Sequence, residues 1–440
     1  QARKSAADLH WLFAGQDTNL MRIGMFTNTY LPHVGGVARS VSALAADLRS
    51  LGHDVTVIAP TYEEANEVFK INDHVIRVPA IQNFNGSDFS ASVPAPVALN
   101  NILDELNFEL VHSHHPFLLG DTAVRVARRY DVPLLFTHHT RYEMYTHYVS
   151  SESTRMQEFA ANLATEYANL GDGVIAPSES IAELVRSRGV TVPVEVVPTG
   201  VDVAKFSTHD RDAIPRELGW PDGCPVIGHV GRLAEEKNLG FVAECAVHVL
   251  RRLPDSHFIV AGKGPGQEEM EETFERAGVS DRIFFLGNCD GQRLIDVFAA
   301  MDCFLFASET ETQGMVLTEA MAAGTPVVAL DAPGAREVVN DSNGRLLDAT
   351  TDSEAFADAV IAVLERDDLD AGVEATAQEY ARGRTAERMA GIYERRIAGH
   401  MKEYAERQRF DALLASMKAE WELLGGKTSA AYDALTGPDE

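Results

Sequence analysis

Between Cys303 and Leu330 the chain carries the arrangement that most limits its fold. The apolar run Cys303-Phe-Leu-Phe-Ala307 is short enough for a buried strand. Gly314 then breaks the chain, and Met315 to Ala323 is rich in good helix formers. Gly324-Thr-Pro326 stops that helix, and Val327-Val-Ala-Leu330 makes a second buried strand. A strand, a loop, a helix and a strand in this order form one unit of a parallel sheet.

The same rhythm runs through the rest of the chain. Strands are expected at Arg22–Thr27, Val55–Ala59, Val75–Val78, Leu110–His114, Leu134–Thr137 and Val174–Ala176, with helices between them. A second series begins at Pro225–Gly231 and continues through His257–Val260, Ile283–Leu286, Cys303–Ala307, Val327–Leu330 and Arg345–Leu347. Such alternation implies two Rossmann-like, doubly wound parallel-sheet domains. The expected organisation is an extension at 1–20, an N-terminal domain at 21–200 and a second domain at 201–385. C-terminal helices at 386–425 follow, packing back on the first domain, and then a flexible tail at 426–440. The stretch from Ile81 to Pro96 is polar and broken by Gly and Pro, which reads as a loop carrying Phe84 and Phe89.

Charge narrows the partners. With 66 acids against 38 bases the formal net charge is −28, which repels nucleic acid and anionic membranes. Arg outnumbers Lys, and an acid excess with scarce Lys is a habit of proteins from a salty cytoplasm. Cys224, Cys245, Cys289 and Cys303 lack zinc spacing and read as free thiols in a reducing compartment. No apolar run is long enough for a transmembrane helix, so the expected location is cytoplasmic, with peripheral attachment to the inner face of the membrane left open.

The chemistry gathers at strand ends. Glu311 lies in the loop after one strand, and Glu319 lies about one turn inside the following helix. Between them the helix start offers backbone N–H groups and a positive dipole end, a seat for phosphate. A nucleotide sugar fits: sugar hydroxyls on Glu311, diphosphate on the amides around Thr312, Gln313, Gly314, Met315 and Val316, ribose on Glu319. Arg232 and Lys237 leave another strand end together and suggest an anion site; the alternative is an ion pair with Glu235 or Glu236. Glycine loops at Gly35-Gly36 and Gly262–Gly266, including Gly264, also follow strands. His112, His114, His138 and His139 cluster at strand ends without an acid or Cys at ligand spacing, so hydrogen bonding is expected there and no metal.

Gly35-Gly36, His112-x-His114, Pro198-Thr-Gly-Val-Asp202, Gly231-Arg-Leu233, Lys237, Gly262-x-Gly264 and Glu311 followed at Glu319 by Glu-Ala-Met-Ala-Ala-Gly-Thr-Pro resemble the retaining glycosyltransferases of family four. The resemblance covers about residues 21–395 and implies the GT-B fold, with the two domains facing across a cleft. The segments His112–Pro116, His139–Tyr148 and Glu311-Thr-Gln-Gly314 are similar to the diacylglycerol glucosyltransferase subgroup; Thr312-Gln313 stands where many members have Gly-Phe. The resemblance implies that Arg232 and Lys237 hold the diphosphate of a nucleotide sugar, UDP-glucose, and that Glu311 and Glu319 hold sugar and ribose. It also implies that His114 lines the donor sugar, and that no metal is needed. The acceptor side is assigned to Phe84, His139, Tyr142, Tyr145 and His147. Three readings compete: a lipid acceptor at a membrane surface, a small soluble hydroxyl acceptor, and a non-catalytic nucleotide-sugar-binding protein.

Overall fold

A computed structural model describes residues 20–33, 35–62, 69–72, 74–81, 91–92, 98–144, 154–406 and 418–428. Strands β1 (Arg22–Phe26), β2 (Asp54–Pro60), β3 (Phe69–Asn72) and β4 (Val75–Val78) precede a ribbon of β5 (Ala80–Ile81) and β6 (Ala91–Ser92). Then come β7 (Leu110–Ser113), β8 (Leu134–Thr137), β9 (Gly173–Ala176) and β10 (Val194–Val196). The second series is β11 (Val226–Val230), β12 (His257–Ala261), β13 (Ile283–Gly287), β14 (Cys303–Phe306), β15 (Val327–Leu330) and β16 (Gly344–Leu347). The eight-stranded sheet runs β10-β9-β8-β7-β1-β2-β4-β3, and the six-stranded sheet runs β13-β12-β11-β14-β15-β16.

The expected strands therefore form within a residue or two of their sequence limits, and most of their mainly apolar residues are buried. Two features differ. β3 is an additional strand, antiparallel to β4. The expected loop from Ile81 to Pro96 contains the ribbon partner Ala91–Ser92, antiparallel to Ala80–Ile81. Phe84 and Phe89 lie outside the described residues.

The chain divides into two compact units. One draws on Gln1–Ser113, Phe117–Leu134 and Ala390–Ser416; the other draws on His114–Pro116, Leu135–Met389 and Met417–Glu440. In the first unit, α1 (Gly36–Ser50) and α2 (Leu119–Tyr130) connect parallel strands. Asn28, just after β1, donates to the Phe117 carbonyl at 2.9 Å and accepts from the Leu119 amide at 3.1 Å. It thereby ties the loop after β1 to the start of α2. The long helix near the C-terminus, Arg382–Glu406, contributes the fully buried Tyr393, whose hydroxyl lies 2.5 Å from His112 Nδ1. Burial keeps His112 neutral, with its pKa lowered to about 3. His112 is thus a packing residue of this unit. A later helical segment continues to Thr428, past the expected start of the tail; 429–440 lie outside the described residues.

In the second unit the six-stranded sheet is parallel throughout and holds a core of Phe258, Phe274, Phe298, Phe304, Phe306, Leu305 and Val328. Burial of each such side chain contributes roughly 1.5–3 kcal/mol. Cys245 and Cys303 are buried free thiols, while Cys224 and Cys289 are half-buried. Among the described residues no helix is long and apolar enough to cross a membrane.

The strand order decides where a ligand can sit. From β11 the chain winds outward to β12 and β13, and from β14 it winds the other way to β15 and β16. The loops after β11 and β14 therefore diverge and leave a crevice at the carboxyl ends of those two strands.

Candidate functional site

The loop after β14 enters helix α3 (Met315–Ala322) through Gly314, at φ 68° and ψ 54°. A side chain there would be strained in this left-handed conformation, and its Cβ would come within 2.9 Å of Leu317 Cδ1. No side chain caps this helix, and no acid lies in its first turn. Its first N–H groups have no acceptor within the helix and carry the positive end of the dipole. Leu317 to Ala322 are all buried, so the helix is held by its core face and its start is left for an anion. Glu319 is 9% exposed on this helix.

The loop after β11 brings Arg232 and Lys237 to the same crevice. Lys237 Nζ pairs with Glu311, and both side chains are mostly buried. Arg232 pairs with Glu236 and is more open to solvent. Of the expected ion pairs, Arg232 makes the one with Glu236, while Lys237 pairs with Glu311 in the loop before the helix instead. Ser308 Oγ donates to the Glu236 carbonyl at 3.1 Å and links the two loops. Gly262 and Gly264 lie against the loop after β11. A Cβ on Gly262 would fall 1.8 Å from the Gly231 carbonyl oxygen, and one on Gly264 would fall 2.2 Å from that of Leu233. These glycines let the loops after β11 and β12 pack backbone to backbone.

Thr312 and Gln313 are spent on the scaffold. Gln313 is buried; its Oε1 accepts from the Thr199 amide at 2.6 Å and its Nε2 donates to the Thr199 carbonyl at 2.7 Å. Thr312 Oγ1 donates to the His139 carbonyl at 3.0 Å, and the Thr312 carbonyl accepts from Ser178 Oγ at 2.7 Å. Ser178 also caps the helix Glu179–Ser187. Glu337 accepts from the Ser180 amide at 2.9 Å and the Gly334 amide at 2.8 Å. Gly334 in turn lies against this loop: a Cβ on it would sit 2.8 Å from the Gln313 carbonyl carbon. Sequence reasoning quoted Thr199 only within a motif and passed over Ser178 and Glu337. Their contacts join residues far apart in the chain and leave no local pattern.

His114 and His139 come together, Nδ1 to Nε2 at 2.9 Å with ring centroids 5.2 Å apart. One ring must donate and the other accept, so the pair accommodates at most one shared proton between these nitrogens. His114 is 1% exposed. His138 packs edge-on against Tyr142, 5.8 Å between centroids, and burial lowers its pKa to about 4. Burial also pushes the Tyr142 hydroxyl far up. Glu143 is held by Arg188 at 2.7 Å and Arg141 at 3.1 Å; burial opposes its ionisation, but these guanidiniums keep its pKa low. Tyr145 and His147, like Phe84, lie outside the described residues.

In the first unit, Gly35 is the extended N-cap of α1 and Gly36 opens it. A Cβ on Gly36 would meet nothing within 4 Å, so the chain itself gives no packing reason for glycine there. On α2, Arg129 pairs with Asp104 at 2.9 Å. A separate concavity lies at the opposite end of α3, lined by Ala323, Gly324, Asp202, Asp370, Glu374 and Arg382. It faces the carbonyl end of that helix and several acids, which suits a phosphate poorly.

Two family models match: Glycosyltransferase Family 4 over residues 34–205 and Glycosyl transferases group 1 over residues 210–382. An alpha-monoglucosyldiacylglycerol synthase of Streptococcus pneumoniae is 31% identical over 73% of this chain and 74% of its own length. One from Acholeplasma laidlawii is 30% identical over 70% and 80%. A D-inositol 3-phosphate glycosyltransferase of Nocardia farcinica is 32% identical over 60% of each. Among solved structures, sucrose-phosphate synthase from Thermosynechococcus elongatus has a TM-score of 0.68 at 20% identity, covering 86% of this chain and 99% of that one. Anabaena HepE in complex with UDP-glucose has a TM-score of 0.64 at 20% identity, covering 85% and 99%. These likenesses establish the GT-B fold.

Gln313→Ala removes both bonds to Thr199. It should weaken UDP binding about tenfold through a loosened loop while the protein stays folded, as read by calorimetry beside circular dichroism. Unchanged affinity would mean that this clamp does not position the helix start.

Proposed function

The chain belongs to glycosyltransferase family 4, and from that premise we propose that it moves glucose from UDP-glucose to a diacylglycerol-type lipid, with retention and without a metal. The observation that carries the donor assignment is the uncapped start of α3 together with the Lys237–Glu311 pair, which joins the loop before that helix to the loop after β11. In the structure the cations Lys237 and Arg232 hold Glu311 and Glu236. Diphosphate binding exchanges the partners: phosphate takes the cations and the helix amides, and Glu311 turns to the sugar hydroxyls. Glu319 accepts from the ribose hydroxyls.

In the reaction the bond from the sugar C1 to the β-phosphate oxygen breaks, and a bond from C1 to the acceptor oxygen forms on the same face. UDP leaves with the electron pair, and its phosphate oxygen takes the acceptor proton. Negative charge grows on the leaving phosphate, so the fixed cations and amides matter most in the transition state. They supply the stabilisation that a metal gives in other enzymes. His114, held by His139, lines the donor sugar.

The lipid acceptor is supported by the glucosyldiacylglycerol synthases among the relatives. Two exposed apolar side chains agree with it. Ile81 and Met144, 57% and 38% exposed, directly precede the segments that carry Phe84 and Tyr145. Aromatic rings there suit a lipid interface, peripheral on the cytoplasmic face. The net charge of −28 opposes anionic lipid, but at 1 M salt the Debye length falls to about 3 Å. A small soluble acceptor is the second reading, favoured by the inositol-phosphate glycosyltransferase and sucrose-phosphate synthase likenesses.

Arg232→Ala and Lys237→Ala should each lower kcat by about 10²–10³-fold with little loss of thermal stability. Glu319→Gln should mainly raise the donor KM. Wild-type kinetics in all three would misplace the site.

Rates should be equal in EDTA and in magnesium. Activity abolished by the chelator and restored by the metal would refute metal independence.

With UDP-glucose labelled in the sugar, diacylglycerol vesicles should yield a labelled glycolipid, and vesicle binding should rise with salt. Fast transfer to a soluble sugar or inositol phosphate with no vesicle binding at any salt would favour the second reading.

A further inference from the structure

His229 lies near the end of β11, 1% exposed, with its ring stacked on Phe304 at 5.9 Å between centroids and 11° between planes. Its Nδ1 is 3.1 Å from the Leu305 carbonyl oxygen. A carbonyl only accepts, so Nδ1 carries the proton. A neutral imidazole then presents Nε2 as a bare lone pair. Burial holds the ring neutral, its pKa lowered to about 4. Nε2 is itself buried and meets no hydrogen-bond donor among the described residues. Buried polar atoms without a partner are rare in folded proteins and call for an explanation.

The atom lies beside Gly231, where the loop after β11 begins. Side chains two residues apart on a strand share a face, and a Cβ on Gly231 would lie 3.5 Å from Nε2. Lys237 and Glu311 are the charged groups whose fields reach the ring. A lone pair cannot bind phosphate, which also only accepts. The ligand must bring a donor, and a hexose brings several hydroxyls. Glu311, the proposed acceptor for those hydroxyls, lies close enough for its charge to act on the ring. The ribose is assigned to Glu319, further along α3.

We propose that Nε2 of His229 accepts a hydrogen bond from a hydroxyl of the transferred hexose, making His229 a recognition residue for the sugar at the floor of the donor site. The proposal rests on the donor reading above and adds a residue to it. His229 would select for a hydroxyl at one place on the sugar, while Arg232, Lys237 and the helix amides bind whatever diphosphate carries it.

Calorimetry with UDP and with UDP-glucose separates the two ideas. His229→Phe keeps the stack on Phe304 and removes the lone pair. It should bind UDP as the wild type does, within about twofold, and bind UDP-glucose about tenfold more weakly, the scale of one buried hydrogen bond. Equal weakening for both ligands would assign His229 a structural role, and no weakening would remove it from the site; either overturns the proposal. The wild-type protein gives a second measurement that does not depend on the variant folding. With ¹⁵N-labelled histidine, the Nε2 resonance of His229 should shift upfield when UDP-glucose binds and stay in place with UDP. A resonance indifferent to the sugar refutes the proposal and leaves the donor reading standing. A wild-type protein that binds neither ligand refutes the donor reading, and this inference with it.

Discussion

The pairing of Lys237 with Glu311 is the interaction on which the rest of this account depends. Both groups are largely withdrawn from water, so neither is comfortable alone. In the structure each satisfies the other. A ligand that carries an anion and hydroxyls on one frame can satisfy both at once, by giving phosphate to the lysine and hydroxyls to the carboxylate. An anion alone leaves Glu311 without its cation, and a free sugar leaves the cations where they are. On the proposed reading, the site would be matched to a nucleotide sugar as a whole.

That pairing works only because its two loops are fixed in space. The loop after β11 is pressed against the loop after β12 through Gly262 and Gly264, and Ser308 ties it to the loop after β14. The loop after β14 is held by Gln313 on Thr199, by Thr312 between His139 and Ser178, and by Gly334 under the carboxylate of Glu337. Thr312 and Gln313, where many family members have Gly-Phe, thus carry side chains that bond to the scaffold. Preorganised groups of this kind need little rearrangement when charge develops on the leaving phosphate.

Much of this was legible in the sequence where the signal is local. Gly314, the helix formers after it and Gly324-Thr-Pro326 mark α3 to within one residue, because left-handed glycine and proline act on their own neighbours. The apolar runs mark the strands for the same reason. Contacts between distant residues were not legible. Nothing near Gln313 announces Thr199, 114 positions away. Nothing near His112 announces Tyr393, the buried hydroxyl that lies at hydrogen-bonding distance from it. β3 escaped because Phe69–Asn72 is short and mixed in polarity, and its antiparallel place depends on β4. The tautomer of His229 follows from a carbonyl on a neighbouring strand, which only the fold supplies.

A crystal structure of the protein with UDP-glucose tests the exchange of partners most directly. The account predicts the diphosphate on the amides of Met315 and Val316, with Lys237 Nζ moved from Glu311 to a phosphate oxygen. A diphosphate bound elsewhere, or bound here with the Lys237–Glu311 pair intact, would contradict it.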